Sequence, residues 1–283
     1  MEHGYNDNTL CEEASFHDAL YSQNRIDQET IQRMLSYDSP TENYGRRVPR
    51  LAARIRESLG DIHGKRMLVY GCGGDNAALW LAARGATVDA IDISGRAVSI
   101  QQGTAKLAGL RLNALVMDGN KLEYPDETFD CVFGNAILHH LDLERACAEI
   151  KRVLKPGGRA VFRDNLEGNL FLRIFRRATP HLRTSDEHPL TKRDVVLFSQ
   201  VFDEVDVSYY MLSVLPYRFV VQTLNASVLK RLGVKVRFPH LDGVYKVLDY
   251  VDRAMFAIIP PLKMQAWQCV VVMTKGCDQA VSK

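Results

Sequence analysis

Apolar positions along the 283-residue chain recur with two different periods, and the change between them divides the sequence. Up to residue 60 the pattern is polar and helical. "IDQETIQRMLSY" sets Ile26, Ile31, Met34 and Leu35 among charges, and "RLAARIRESLG" runs to Gly60, a residue suited to end a helix. From Lys65 short apolar runs alternate with helical stretches. Strands are predicted in "RMLVY", "ATVDAIDIS", "RLNALVM", "FDCVFGNAI" and "RAVFRD". Helices are predicted in "NAALWLAARG", "GRAVSIQQGTAKLAG" and "LERACAEIKRVLKPGG", the last stopping at Pro-Gly-Gly. Strand–helix alternation of this length demands right-handed crossovers, and therefore a parallel sheet covered on both faces.

Beyond the fifth strand the alternation fails. Residues 165–190 are irregular and basic, "KRDVVLFSQV" is a further helix, and "FDEVDVSYYML" and "AWQCVVVMTK" read as closing strands. Pro216 to Met264 lie between those strands, far more chain than a hairpin needs. There "VYKVLDYVDRAMFAII" puts Val244, Val247, Leu248, Val251, Met255, Ile258 and Ile259 at helical spacing, in a helix too short and too charged to span a bilayer. The expected organisation is a helical cover over residues 1–60 and an α/β domain over 61–283. Two lid insertions interrupt that domain, at 165–190 and 216–264.

Composition narrows the function classes. A net charge of +2 excludes a whole-protein electrostatic grip on nucleic acid. The six cysteines form no CxxC pair, so neither a disulfide framework nor a zinc site is expected, and no metal is predicted. The first residues are polar and acidic, unlike a signal peptide, and no run of 18 apolar residues occurs; a cytoplasmic protein is expected.

The candidate chemistry begins at "VYGCGGDNAALWLAARG", a strand, a glycine loop and a helix. A dinucleotide site needs GxGxxG, with the diphosphate on the helix N-terminus. Gly71 and Gly73 match, but Asn76 stands at the third position and Asp75 at the helix start. Asp75 would repel a diphosphate yet tolerate a cationic sulfonium; it also reads simply as a helix cap. Asp92 ends the second strand 21 residues after Gly71, the spacing at which a carboxylate accepts from ribose hydroxyls, although a turn residue would also fit. A nicotinamide-dependent oxidoreductase is disfavoured by Asp75 and Asn76.

Taken in order from Lys65 to Arg163, "VYGCGGD", "DAIDIS", "MDGNKLEYPDETFD", "ILHHL" and "VLKPGG" resemble the class I S-adenosylmethionine-dependent methyltransferases, in their small-molecule, type 11 branch. The resemblance implies a Rossmann-like, seven-stranded, mostly parallel sheet with an antiparallel strand inserted near its end. It also implies S-adenosyl-L-methionine as methyl donor, leaving S-adenosyl-L-homocysteine. By the same resemblance Gly71, Cys72 and Gly73 line the methionine part, Asp92 holds the ribose and Ile93 packs on adenine. Asp118 accepts from the adenine amino group beside Gly119, and Asn135 faces the methionine. Two positions depart from the family: Tyr70 replaces an acid just before the first glycine, and Asp75 replaces the third loop glycine.

Methyl transfer to a hydroxyl needs a base, and histidine serves near neutral pH. "LHHL" places His139 and His140 at the carboxyl edge of the sheet, where such folds bind ligands, though both could merely begin a helix capped by Asp142. "RTSDEHPL" packs Arg183, Asp186, Glu187 and His188 together, as a base site or as an ion-pair network fixing a lid. That segment resembles an insertion in a subset of bacterial and plant type 11 enzymes. Leu170, Phe171, Ile174 and Phe175 form a stripe beside Arg173, Arg176 and Arg177, suited to a lid, a substrate wall or a membrane-facing patch. His17, in "SFHDAL", sits on a helix suited to close over a cofactor, with a structural role favoured for it. The catalytic candidates are therefore His188 and His140; the substrate candidates are His139, Arg183, Phe171 and Phe175. The expected activity is methylation of a small, largely apolar metabolite, on oxygen. Carbon methylation of a quinone-like or prenylated ring, or a non-catalytic cofactor-binding or membrane-peripheral role, stands as the alternative. A small-molecule acceptor is the expected partner, with weak peripheral membrane contact and no nucleic acid.

Overall fold

The strand-forming runs alternate in which face they bury, and that alternation builds a two-faced sheet. In β1 (Arg66–Tyr70), Met67 and Val69 join one apolar cluster while Leu68 and Tyr70 join the other. The same division recurs in β5, where Val161 faces one way and Ala160 and Phe162 the other. The computed structural model describes residues 7–21, 28–41, 48–178, 187–214, 217 and 241–277.

β1 to β5 (β2 Thr87–Asp92, β3 Leu112–Val116, β4 Phe129–Asn135, β5 Leu154–Asn165) pair in parallel; β6 (Glu204–Tyr210) and β7 (Gln268–Thr274) close the sheet. The seven-stranded order is β3-β2-β1-β4-β5-β7-β6, with β7 antiparallel to both neighbours. Reversal of the strand order between β1 and β4 opens a crevice at their carboxyl ends. This is the α/β, Rossmann-like architecture expected of the sequence.

Helices α1 (Asp7–Tyr21), α2 (Gln28–Leu35) and α3 (Pro49–Leu59) precede the sheet. α3 ends at Gly60, whose φ of 64° needs a residue without a side chain. Leu51, Ile55 and Leu59 of α3 share one apolar cluster with Met67 and Val69, so this helix is part of the domain core. α4 (Ala77–Ala82) and α5 (Gly95–Ala108) follow β1 and β2; α5 is capped by Ser94, whose side chain accepts from Ala97 N. α6 (Leu143–Val153) starts at the Asp142 cap and buries Ala146, Cys147, Ile150 and Val153 along one stripe. It stops at Val153, earlier than the sequence pattern suggested. Lys155 to Gly158 form instead an irregularity inside β5, where the register on β4 jumps from Phe129↔Leu154 to Cys131↔Arg159.

Beyond β5 come α7 (Leu170–Ala178), α8 (Lys192–Val201) and α9 (Leu241–Ile258). α8 opens with a capping box between Thr191 and Asp194. Cys72, Cys131, Cys147 and Cys269 are buried free thiols that act as small apolar packing groups, while Cys11 and Cys277 are exposed. None of the described helices is long and apolar enough to cross a membrane.

Candidate active site

The turns that follow β1, β2, β3 and β4 enclose a cavity of about 430 Å³ at the carboxyl edge of the sheet. Its floor begins at Gly71, whose φ is +66°, and a Cβ there would meet Ile137 Cγ1 at 2.5 Å. Both facts exclude a side chain. Asp92 ties the loop to the end of β2: Oδ2 accepts from Gly73 N at 2.8 Å and Oδ1 from Ser94 N at 2.9 Å. Burial pushes the Asp92 carboxyl above its ordinary value, against the pull of those two donors. Beneath the loop lies Gln101 of α5, which no sequence motif singled out. Its Nε2 donates to the carbonyls of Cys72 (3.3 Å), Gly73 (3.1 Å) and Asp75 (2.8 Å), fixing the glycine loop from behind.

Asp75 does two jobs. Its Oδ1 accepts from Ala77 N at 2.9 Å from one residue before the N-cap of α4, which is Asn76 and not Asp75 as the sequence suggested, and its Oδ2 accepts from Asn135 Nδ2 at 3.0 Å on the cavity wall. Burial raises its carboxyl to about 6. Asn135 Oδ1 is buried with no hydrogen-bond partner among the described residues. The next residue, Ala136, has φ 58°, an uncommon conformation for a side-chain-bearing residue, and turns the chain out of β4 into the cavity rim.

The turns after β2 and β3 build the far wall. Asp118 Oδ1 accepts from Asn120 N at 2.8 Å, and Ile93, Asp118 and Gly119 line the cavity. Tyr70, the departure noted before the first glycine, is buried and donates its hydroxyl to Gly119 O. A Cβ on Gly119 would lie 2.6 Å from the Tyr70 ring. Tyr70 therefore braces the Gly119 turn from below. Gly71, Cys72, Gly73, Asp92, Ile93, Asp118, Gly119 and Asn135 all come together on this one cavity.

An unpartnered acceptor at Asn135, the Asp75 carboxylate beside it and a ribose-spaced Asp92 fit a nucleoside that bears cationic groups. A phosphate would meet the Asp75 carboxylate at the helix start. These residues fit S-adenosyl-L-methionine: Asp75 and Asn135 would hold its cationic end, Asp92 the ribose, and Asp118 with Ile93 the base.

α1 forms the roof. Leu10, Glu13, His17 and Tyr21 recur at helical spacing on the face that lines the cavity. Its outer side is latched by Asp18, whose carboxylate accepts from Ser94 Oγ and, at 3.0 Å, from Arg96 N at the N-terminus of α5.

The two histidines of "LHHL" separate. They form a short 3-10 turn, Leu138–His140. His139 is buried, with Nδ1 2.5 Å from Asp164 Oδ1, and it does not line the cavity. The fully buried Asp164 also accepts from Leu138 N at 2.8 Å, so this pair pins the turn to β5. His140 does line the cavity, and its Nδ1 lies 2.6 Å from Oε1 of the buried Glu13. Burial pulls its imidazolium pKa down, but the contact with Glu13 and the charges of Glu13, Glu187 and Asp164 outweigh that and hold it above the ordinary value. His17 stacks edge-on to His140 with ring centroids 5.5 Å apart, and burial and the His140 charge lower its pKa. Ligand-capable atoms of Glu13, His17 and His140 lie within 4.8 Å of one another, a donor set open to a divalent cation.

His188 is exposed and off the cavity wall; its backbone N–H donates to His139 O at 2.8 Å. Glu187 beside it binds Arg176, with Nη1 2.6 Å from Oε1, an ion pair that fixes the segment after β5. Phe171 and Phe175 fall on the α7 backbone, but their side chains, like all of Arg183, lie outside the described residues.

A family model described as a methyltransferase domain matches residues 68–162. The methyltransferase GfsG of Streptomyces halstedii is 31% identical over 119 residues, 41% of this chain and 43% of that protein. The chain thus spans less than half the length of that relative. An uncharacterized methyltransferase of Geobacillus kaustophilus is 29% identical over 201 residues, 68% of this chain and 85% of that protein. Among solved structures, a Haemonchus contortus phosphoethanolamine N-methyltransferase bound to S-adenosylhomocysteine superposes with a TM-score of 0.58 at 16% identity. It covers 94% of this chain and 59% of its own, a likeness of fold. Residues 68–162 thus match a type 11 methyltransferase domain, set in a class I methyltransferase fold. Its cofactor is S-adenosyl-L-methionine.

Proposed function

We propose that the protein methylates a hydroxyl oxygen of a small, largely apolar metabolite, with His140 as the base. The observation that supports this reading is the His140–Glu13 contact at 2.6 Å on the cavity wall. Bound in the cavity, S-adenosyl-L-methionine supplies an electrophilic methyl group. An alcohol or phenol acceptor must lose its proton as the new bond forms, and the chain supplies that service. The Glu13 carboxylate 2.6 Å from Nδ1 favours positive charge on the ring and leaves Nε2 to take the proton. α1 screens the reacting groups from water, and the fixed turn after β4 keeps the base in register with the acceptor.

His140→Ala should lower turnover on a hydroxyl acceptor by about 10²–10⁴-fold while sparing cofactor affinity. His188→Ala should change the acceptor's KM more than kcat. Because Glu13 holds the His140 pKa up and only neutral imidazole accepts a proton, the native rate should rise with pH through a midpoint above that of ordinary histidine. Glu13→Gln should move that midpoint down. The assay is labelled methyl transfer to a panel of apolar alcohols and phenols, followed by product mass spectrometry. Equal turnover in native protein and His140→Ala, or a carbon-methylated product, would sink the assignment. The assay is run with and without a chelator, since loss of rate on chelation would assign Glu13, His17 and His140 to a cation instead.

A further inference from the structure

α9 packs Tyr245 and Phe256 into the core yet leaves a row of apolar side chains outside. Its described carboxylates face inward: Asp249 pairs with Arg50 at 3.1 Å, and Asp252 accepts from Leu212 N and Ser213 N at 2.8 and 3.0 Å. Its outward face instead carries Val244, Val247, Tyr250, Val251 and Ile258, with Tyr250 72% and Ile258 78% exposed. Single exposed apolar side chains are ordinary, but a row of them along one helix marks an interaction surface. α7 repeats the arrangement, with Leu170 and Ile174 exposed beside exposed Arg173 and Arg177. The two helices are neighbours in the fold: Asn169 Nδ2, just before α7, donates to Gln265 O at 2.7 Å in the 3-10 turn Pro260–Gln265 that follows α9.

The charges decide what covers this face. Among the described side chains of α7, α9 and that turn, every exposed charged group is a cation: Arg173, Arg177, Lys246, Arg253 and Lys263. A second copy of the same face would bring like charges together. An anionic lipid surface would meet cations at its headgroups and apolar side chains just beneath them. We propose that α7 and α9 dock the protein peripherally on anionic membranes, lying in the interface rather than crossing it. This goes beyond methyl transfer and suits an apolar acceptor that dissolves in lipid.

The test is co-sedimentation of the full chain with vesicles of equimolar phosphatidylserine and phosphatidylcholine, with phosphatidylcholine alone as the comparison. Binding should be confined to the anionic vesicles and should weaken as salt rises. Each cation near an anionic surface contributes about fivefold to partitioning, so the Arg173→Gln, Arg177→Gln, Arg253→Gln variant should lose about a hundredfold. Val247→Ser with Tyr250→Ser should also reduce binding at low salt; both positions are exposed, and circular dichroism confirms the fold. No binding to anionic vesicles, or binding that neither variant changes, would overturn the proposal. So would sedimentation velocity showing a dimer that the Val247 and Tyr250 substitutions dissolve, because the face would then pair two copies. Methyl transfer to a water-soluble acceptor is measured on the same variants. Its retention separates a failure of docking from a failure of the catalytic reading.

Discussion

Asp75→Asn separates what the folded chain tolerates from what the cofactor requires. The carboxyl of Asp75 is raised from 3.8 to about 6, chiefly by burial. The folded state therefore binds this proton more readily than the unfolded state does. Stability from that source is full below about pH 4 and declines as pH rises through about 6. A shift of this size corresponds to at most about 3 kcal/mol at higher pH, and partial exposure of the side chain reduces it to about 1–2 kcal/mol. An asparagine removes the charge and keeps the bond at the start of α4, since its oxygen can still accept from Ala77 N. Asn135 can then turn its amide, offering the presently unpartnered Oδ1 to the new amide group. The variant should melt about 2–8 °C higher than the native chain near pH 8, and no higher near pH 4. Its affinity for S-adenosyl-L-methionine near pH 8 should fall by more than about tenfold, because the cationic end of the cofactor loses its counter-charge. In the native protein that affinity should itself rise with pH through about 6, as binding draws the proton off Asp75. Differential scanning fluorimetry across pH and titration calorimetry read the two effects. Equal stabilisation at both pH extremes, or unchanged cofactor affinity, would refute the reasoning.

Two further substitutions probe the loop. Asp92→Ala removes the acceptor for both Gly73 N and Ser94 N, so it should lower the melting temperature as well as weaken cofactor binding by more than about tenfold; unchanged affinity by calorimetry would remove Asp92 from the site. Gln101→Leu strips the shared donor from three loop carbonyls and should cost about 1–3 kcal/mol in chemical denaturation while loosening cofactor binding; a variant as stable as the native chain would show that the loop holds itself.

The strand and helix order, the glycine loop and the carboxylate at the end of β2 were legible in the sequence, because each rests on a local rule. Alternating apolar residues make a strand, and a helical stripe makes a helix. Glycine alone accepts the φ of +66° at Gly71. The end of α6 was misjudged by the same local reasoning. Leu154 packs in the sheet, and pairing with Phe129 across β4 outweighed the helical pattern that ran on to Pro156. Gln101 gave no signal, since a glutamine on a helix is ordinary until the helix lies beneath a loop of carbonyls.

The sequence by itself determined that this chain would form a mostly parallel α/β sheet, and that the glycine loop and the ends of β2, β3 and β4 would meet at its carboxyl edge. Hydrophobic period and turn chemistry are properties of neighbours along the chain, and a single reading of the chain exposes them. Only the tertiary structure decided which of two adjacent histidines faces the cavity. In the Leu138–His140 turn one step along the chain swings a side chain to another face. Asp164 of β5 captures His139, Glu13 of α1 meets His140, and those partners lie 25 and 127 residues away in sequence. A partner so distant leaves no periodic trace, because its position is fixed by how α1 and β5 pack and not by the residues beside it.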